Sequence, residues 1–447
     1  MIEKPVIDIH CHLFNGWYAL AELTAASWAL LKGAYPRGTG EMFIRRRSFG
    51  SLEGIREYAA YTARLLDAAL ADAAGNYETE MKNFRRSRLA NWSTLIVTPL
   101  MMDIYYALDN NDPGGARFRR EDSLLEIAAD ERLAFHYHLE HVKELVAKEL
   151  AKLPKRKGPV LNGRGYTAKH LDQDMERVQE MFGGTPERAA RDPYGQIELS
   201  PGYRDHLETL EELALAHPGK VLPFLAVDPR RKGILQLMDM KLEKGSGVFK
   251  GVKLYPPQGY LPTHPNLEVV YDYCARYDIP ITVHCSLGGF GNFRRQHYVE
   301  SWLAPPHWET FTKVRNSQQL YYGDPAKWQP VLQRWPTLRI NFGHLGGSKA
   351  NAPGMVNLPW LDTIVDLMQT YPNVYGDLSY ITNSERQEKT LALISQSQIL
   401  KERVMFGTDF VMVVMDEELG GLDRYFTNFA ALDRQLLYEN ASRFLKL

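Results

Sequence analysis

Eight short apolar runs punctuate this chain, and each ends in polar or glycine-rich residues. They are PVIDIHCH (5–12), STLIVTPL (93–100), KVLPFLAVD (220–228), FKGVKLYP (249–256), IPITVHCS (279–286), LRINFGHLGG (338–347), NVYGDLSY (373–380) and RVMFGTDF (403–410). Runs of this length bounded by turn-forming residues read as strands. Between the later ones lie segments of helical period, such as ILQLMDMKLEK (234–244), LEVVYDYCARYD (267–278), PWLDTIVDLMQTYP (359–372) and EKTLALISQSQILKE (388–402). Strands that alternate with helices build a parallel sheet. Eight such units predict an α/β fold of the (β/α)8 barrel type, with chemistry at the C-terminal strand ends. A doubly wound open sheet is the competing architecture, but no G-x-G-x-x-G loop follows the first strand.

The early part of the chain is irregular. Residues 13–92 and 101–219 separate strands that a short crossover would otherwise join. They contain helical stretches such as 123–150 and loop-rich pieces such as 109–120. We read residues 1–447 as a single barrel domain, with 13–92 and 101–219 as insertions after strands 1 and 2 that wall its mouth. Composition supports an ordinary globular protein, 45% apolar and 24% charged. A formal net charge of -1 supplies no drive toward nucleic acid or anionic membrane. No apolar stretch reaches the length of a membrane span. No basic segment followed by an apolar run opens the chain, so no secretory leader is expected. Cys11, Cys274 and Cys285 form no even framework and no CxxC pair, which favours a reducing, cytoplasmic setting.

The polar residues that end the strands converge on one chemistry. His10 and His12 stand one residue apart on the first strand. Period-two alternation points them the same way, ~6.5–7 Å apart along the backbone, with Asp8 on that face too. Taken alone, the pair is equally two polar residues at a strand end. The fourth run carries Lys253, the fifth ends in His284, the sixth in His344, and the seventh carries Asp377. The eighth ends in Asp409. Each has a bland account: a hydrogen-bonded core histidine, a helix-capping aspartate, a salt-bridged barrel lysine. A barrel brings them to one mouth, and coincidence at so many strand ends favours a shared metal site. Imidazoles with a carboxylate form an N/O shell that suits zinc first and also manganese, iron or cobalt. Such an ion activates a water near neutral pH. A carboxylate beside that water can take its proton and deliver it to a leaving group.

These residues and their surroundings resemble the amidohydrolase superfamily, in its amidohydrolase-2 branch of metal-dependent TIM-barrel hydrolases and decarboxylases. The resemblance rests on DIHCHLF, GVKLYPP, ITVHCS, INFGHLGG, VYGDLS, VMFGTDF and the closing ENASRFLKL, and leaves 13–92 and most of 101–219 uncovered. It implies metal ligands at His10, His12, His284 and Asp409, and a catalytic acid/base or second-site role for His344, while the chemistry of a carboxylate beside metal-bound water makes Asp409 the catalytic proton carrier. It leaves Lys253 either as a carboxylated bridge between two metals or as a plain lysine. We favour the plain lysine beside one divalent ion, where its ammonium can hold an acidic substrate.

The expected activity is hydrolysis of a lactone or cyclic amide in a small, carboxylate-bearing molecule, with the metal activating water. The alternative is non-oxidative decarboxylation of an aromatic or unsaturated acid. A non-catalytic ligand-binding barrel is a third reading, which the intact ligand set argues against. A homodimer is the default for this size. Elsewhere, His136, His138 and His141 are read as a solvated helix face. Arg45–Arg47, Arg85, Arg86, Arg88, Arg119 and Arg120 are read as charged surface or as an anion-selecting rim. The segment 286–297 is a mobile substrate loop or a long connection. Neither a GxSxG elbow nor a P-loop occurs.

Overall fold

All eight apolar runs form strands. The computed structural model describes residues 5–34, 52–68, 72–112, 127, 131–153, 166–182, 194, 197, 199–312, 314–347, 359–382, 384–415 and 421–447. In chain order the strands are β1 (Pro5–Cys11), β2 (Thr94–Pro99), β3 (Phe224–Val227), β4 (Gly251–Leu254) and β5 (Ile281–Val283). An antiparallel hairpin follows, made of β6 (Gln296–Ser301) and β7 (Ala304–Thr310). Then come β8 (Ile340–Phe342), β9 (Val374–Asp377) and β10 (Val404–Met405).

The strands β3, β4, β5, β8, β9 and β10 pair in that order, all parallel, and β1 pairs parallel with β2. Two seams join these sheets into a ring. At the first, Leu222 N donates to Val97 O (2.9 Å) and Met101 N to Phe224 O (3.0 Å), which links β2 to β3. At the second, Ile9 N donates to Phe406 O (3.1 Å) and Asp409 N to His10 O (2.6 Å), which links β1 to β10. Eight parallel strands therefore close on themselves. Closure leaves no open sheet edge and forces interior residues to alternate with exterior ones.

The interior is layered. Its closed end holds Ile7, Ile9, Phe224, Tyr375 and Met405, packed on Ala441, Phe444 and Leu445 of the helix Asn440–Leu445. Phe444 meets Tyr375 at 5.3 Å between ring centroids and stacks on Phe224 at 6.5 Å. The next interior layer turns polar: Lys253, Thr282 and Asn341 occupy successive register positions on β4, β5 and β8. Above it lies the mouth.

One expectation about faces is corrected. The β1–β2 register shifts between Asp8 and Cys11, so β1 carries an extra residue there. A bulge breaks strict alternation and re-aims side chains. Asp8 leaves the histidine face and bonds to Thr408, its Oδ1 accepting from Thr408 N (3.0 Å) and its Oδ2 from the Thr408 hydroxyl.

Of the insertions, the described parts are largely helical, including Gly16–Ala34, Leu52–Ala68, Ala73–Arg86, Arg132–Leu150, Ala168–Phe182 and Pro201–Ala216. His138 is not part of a solvated face. It is buried, with Nε2 3.1 Å from Ser27 Oγ and 3.2 Å from Thr24 O, because the helix Arg132–Leu150 packs that side on Gly16–Ala34. Arg85, Arg86 and Arg88 are exposed, while Arg45–Arg47, Arg119 and Arg120 lie outside the described residues. All three cysteines are buried free thiols. Among the described residues no helix is long and apolar enough to cross a membrane.

Phe444→Ala removes the ring that fills the closed end of the barrel, and a buried Phe→Ala change costs ~3–5 kcal/mol. The urea midpoint should fall accordingly, while the half-exposed Leu447→Ala leaves it in place. Equal midpoints would mean that the helix is not part of the core.

Candidate metal centre at the barrel mouth

The side chains named by the strand ends meet in a buried space at the C-terminal face. Most lie just beyond their strand's last paired residue: His12 one residue after β1, His284 one after β5, His344 two after β8 and Asp409 four after β10. There the chain leaves the ladder and bends. His344 (φ 61°) and Asp409 (φ 61°) both adopt left-handed backbone, which non-glycine residues hold only where the surroundings over-determine it. Gly343, directly before His344, faces His10 so closely that a Cβ there would stand 2.9 Å from the imidazole Cε1.

Hydrogen bonds fix the tautomers. His10 Nδ1 lies 2.9 Å from Asp377 Oδ2 and His12 Nδ1 lies 2.7 Å from Leu100 O. A carbonyl and an ionised carboxylate only accept, so both Nδ1 atoms carry the proton. Their Nε2 atoms are then bare lone pairs. Both point at Asp409 Oδ1, His12 from 3.1 Å and His10 from 3.5 Å. Among the described residues, His10 Nε2 and Asp409 Oδ1 have no hydrogen-bond partner although both are buried. Three acceptors face one another with no proton to share, an arrangement that calls for a cation. One atom from each residue fits within a 4.8 Å group, as it does for His10, His344 and Asp377.

His284 belongs to neither group. Its Nε2 donates to Gly288 O (3.0 Å) and its ring stacks on Tyr255 at 4.2 Å. Its remaining lone pair, on Nδ1, faces His344 Nε2 at 3.3 Å. The arrangement thus unites His10, His12 and Asp409 directly and keeps His284 one imidazole away, across His344.

Lys253 is buried at the same level. Its Nζ has no hydrogen-bond partner among the described residues and lies 5.7 Å from the Tyr255 ring centroid. It is therefore not the salt-bridged barrel lysine of the bland account.

Burial dominates the protonation of the site. It pushes His12 down to about 3 and His344 down to about 4, and holds His10 and His284 below the usual imidazole range. Burial lowers Lys253 to about 8 against the pull of Asp377 and Asp409. The Asp409 carboxyl is raised by burial, in spite of His344, His10 and Lys253 nearby. Asp377 goes the other way: burial alone would raise it, but His10 and the donors around it hold it well below the carboxylate range. Those donors are His10 Nδ1, Asn341 Nδ2 (2.7 Å), His344 N (3.0 Å), Ser379 N (3.1 Å) and the Ser379 hydroxyl.

Asn341 and Ser379 are the participants that the sequence reading missed. Both had a signal. Ser379 stands two residues after Asp377, the same spacing as the His10/His12 pair. Asn341 is a lone polar residue inside an apolar run.

The segment after β5 is tied down instead of loose. Phe290 N donates to Tyr255 Oη (2.9 Å), and Asn292 Nδ2 reaches the carbonyls of Asp109 (2.7 Å) and Gln258 (2.9 Å). Phe290 is fully buried against Tyr58 and Tyr61 of the first insertion. Arg295 turns outward to pair with Glu53 at 2.8 Å.

Comparisons with known proteins give the family. The sequence model described as Amidohydrolase matches residues 173–447, more than half of the chain. A curated relative, the 2-amino-3-carboxymuconate-6-semialdehyde decarboxylase of Caenorhabditis elegans, is 27% identical over 121 residues. That match spans 26% of this chain and only 30% of the relative's length. Among solved structures, a manganese complex of 5-carboxyvanillate decarboxylase from Novosphingobium aromaticivorans is 11% identical, covers 100% of this chain and 96% of its own, and has a TM-score of 0.41. An uncharacterized TIM-barrel protein from Bordetella bronchiseptica is 19% identical, covers 54% of this chain and 72% of its own, with a TM-score of 0.37. A probable 2-pyrone-4,6-dicarboxylic acid hydrolase from Acinetobacter baumannii is 11% identical, covers 54% and 78%, and has a TM-score of 0.38. The stretch matched by the family model carries six of the eight barrel strands together with Lys253, His284, His344, Asp377 and Asp409, and the chain belongs to the amidohydrolase family.

Proposed function

We propose that this protein is a metal-dependent hydrolase of a small carboxylate-bearing molecule, with a lactone or cyclic amide bond as its target. The observation that carries the reading is the convergence of the His10 and His12 lone pairs on the Asp409 carboxylate, with no proton between them. His10, His12 and Asp409 would hold one divalent ion, zinc first among manganese, iron and cobalt, with His284 a fourth ligand only if its Nδ1 turns from His344 to the ion. Such an ion, when bound, acidifies water and polarises a carbonyl.

The chain's own groups do the rest. Asp409, held by the closed seam, takes a proton from the attacking water and returns it to the leaving oxygen or nitrogen. His344, neutral at physiological pH, accepts or relays a proton from the same side. Lys253, buried and with no hydrogen-bond partner among the described residues, holds the substrate's carboxylate as an ammonium. The insertions wall the mouth and exclude water: Tyr58 Oη is anchored on Ile104 O (3.0 Å), and Tyr61 packs on Phe290.

Decarboxylation is the second reading, because the curated relative named above is a decarboxylase. The two separate cleanly in 18O-labelled water, with lactone dicarboxylates and aromatic or unsaturated acids as the test panel. Hydrolysis puts 18O into the product carboxylate and releases no CO2. CO2 release with solvent hydrogen at the vacated carbon would replace the hydrolase with a lyase.

Binding of an ion to the folded state alone adds ~2.7 kcal/mol at a hundredfold excess over Kd. Zinc or manganese should therefore raise the thermal midpoint of the wild type. His12→Ala should lose most of that rise, and an undiminished shift would move the ion elsewhere. The lysine role has a pH signature. A lysine lowered to about 8 is charged below that pH and neutral above it. For an anionic substrate, kcat/KM should fall as pH climbs through about 8, and Lys253→Met should be slow and lack that limb. A limb that persists in the variant belongs to another group.

A further inference from the structure

Asp377 and Ser379 stand behind the site, and the hydrogen bonds between them assign the Ser379 proton. The Ser379 hydroxyl meets three groups: Asp377 Oδ1 at very short range, His344 Nδ1 at 2.8 Å and His10 Nδ1 at 3.1 Å. A hydroxyl has one proton to give. If it went to His344, the serine oxygen and the Asp377 carboxylate would face each other as bare acceptors at their closest approach. It therefore goes to Asp377, and the serine oxygen accepts from His344 Nδ1. A second contact agrees: Ser379 O lies 3.4 Å from the same Nδ1 and can only accept. The His10 Nδ1 proton is already committed to Asp377 Oδ2 at 2.9 Å.

We propose that Ser379 is a positioning residue that locks His344 in the Nδ1–H tautomer, so that a bare Nε2 faces the site and His344 enters the reaction as a proton acceptor. One carboxylate, Asp377, thus sets two imidazoles: His10 directly and His344 through the Ser379 hydroxyl. In both, Nδ1 is turned to the wall; the bare Nε2 of His344 then meets the bare Nδ1 of His284 at 3.3 Å, a further pair of acceptors beside those that call for a cation. The activity consequence rests on the proposed role of His344; the tautomer itself does not.

Two measurements test the assignment, and the first is independent of any substrate. In 15N-histidine-labelled, zinc-loaded protein, the His344 signals, assigned by their loss in His344→Asn, should report a proton on Nδ1. In Ser379→Ala the proton should shift toward Nε2, and Ser379→Thr, which keeps the hydroxyl, should restore Nδ1–H. The second measurement is turnover with metal content read beside it. Ser379→Ala should retain its ion and its KM within about twofold, lose about 10–100-fold in kcat, and regain most of it as Ser379→Thr. An Nε2–H tautomer in the wild type would overturn the proposal. So would an unchanged tautomer in Ser379→Ala, or a kcat loss that tracks lost metal. If the tautomer shifts as expected while kcat stays constant, Ser379 keeps its structural assignment, and it is the role of His344 as proton acceptor that falls.

Discussion

Everything at the mouth depends on the seam that joins the first strand to the last. Ile9 and Asp409 donate backbone bonds across it, and the Asp8 carboxylate clamps Thr408 from outside the barrel. Because Thr408 precedes Asp409, the clamp fixes where the Asp409 carboxylate enters the mouth. Because Asp8 also accepts from His10 N (3.1 Å), the same group fixes the histidine strand. The extra residue in β1 makes this division of labour possible. It sends Asp8 outward to hold the seam while His10 and His12 both face in. A regular strand would have put all three on one face and left the seam without its clamp.

The electrostatics of the mouth follow from burial. Imidazoles in a dry site lose their charge and become ligands or bases. A carboxylate in the same site persists only if donors surround it, as they do for Asp377, which gathers backbone, amide, hydroxyl and imidazole donors. Among the described residues Asp409 gathers no comparable set of donors, and burial raises it. Two aspartates within one site are thereby divided: Asp377 is held as a fixed anion, and Asp409 is held closer to protonation. Environments that push like groups apart in this way mark acid–base chemistry.

Much of this was legible in the sequence. The eight strands were, because buried parallel strands are short apolar runs with abrupt ends. The residues that end those runs were also legible as a set. Three things were not. The bulge in β1 was hidden because nothing in PVIDIHCH marks an extra residue. The hairpin β6–β7 escaped because QHYVES and APPHWET carry little apolar alternation, and the prolines of β7 argue against a strand except at an exposed edge. The burial of His138 escaped because it depends on a partner helix more than a hundred residues away. Ser379 was readable in principle: the i, i+2 logic that singled out His10 and His12 applies equally to Asp377 and Ser379.

The seam also sets an order of events. His10 and His12 are made near the start of synthesis and Asp409 almost four hundred residues later, so no partial chain owns the three converging acceptors. Contacts of such long range form late, because the loop they close must first be paid for in entropy. An ion that needs all three atoms can be captured only by a ring already shut. On the proposed function, capture of an ion by His10, His12 and Asp409 would follow closure of the ring, and a chain truncated before its last strand would keep the imidazoles and Asp377 but lack the Asp409 carboxylate on which two of them converge.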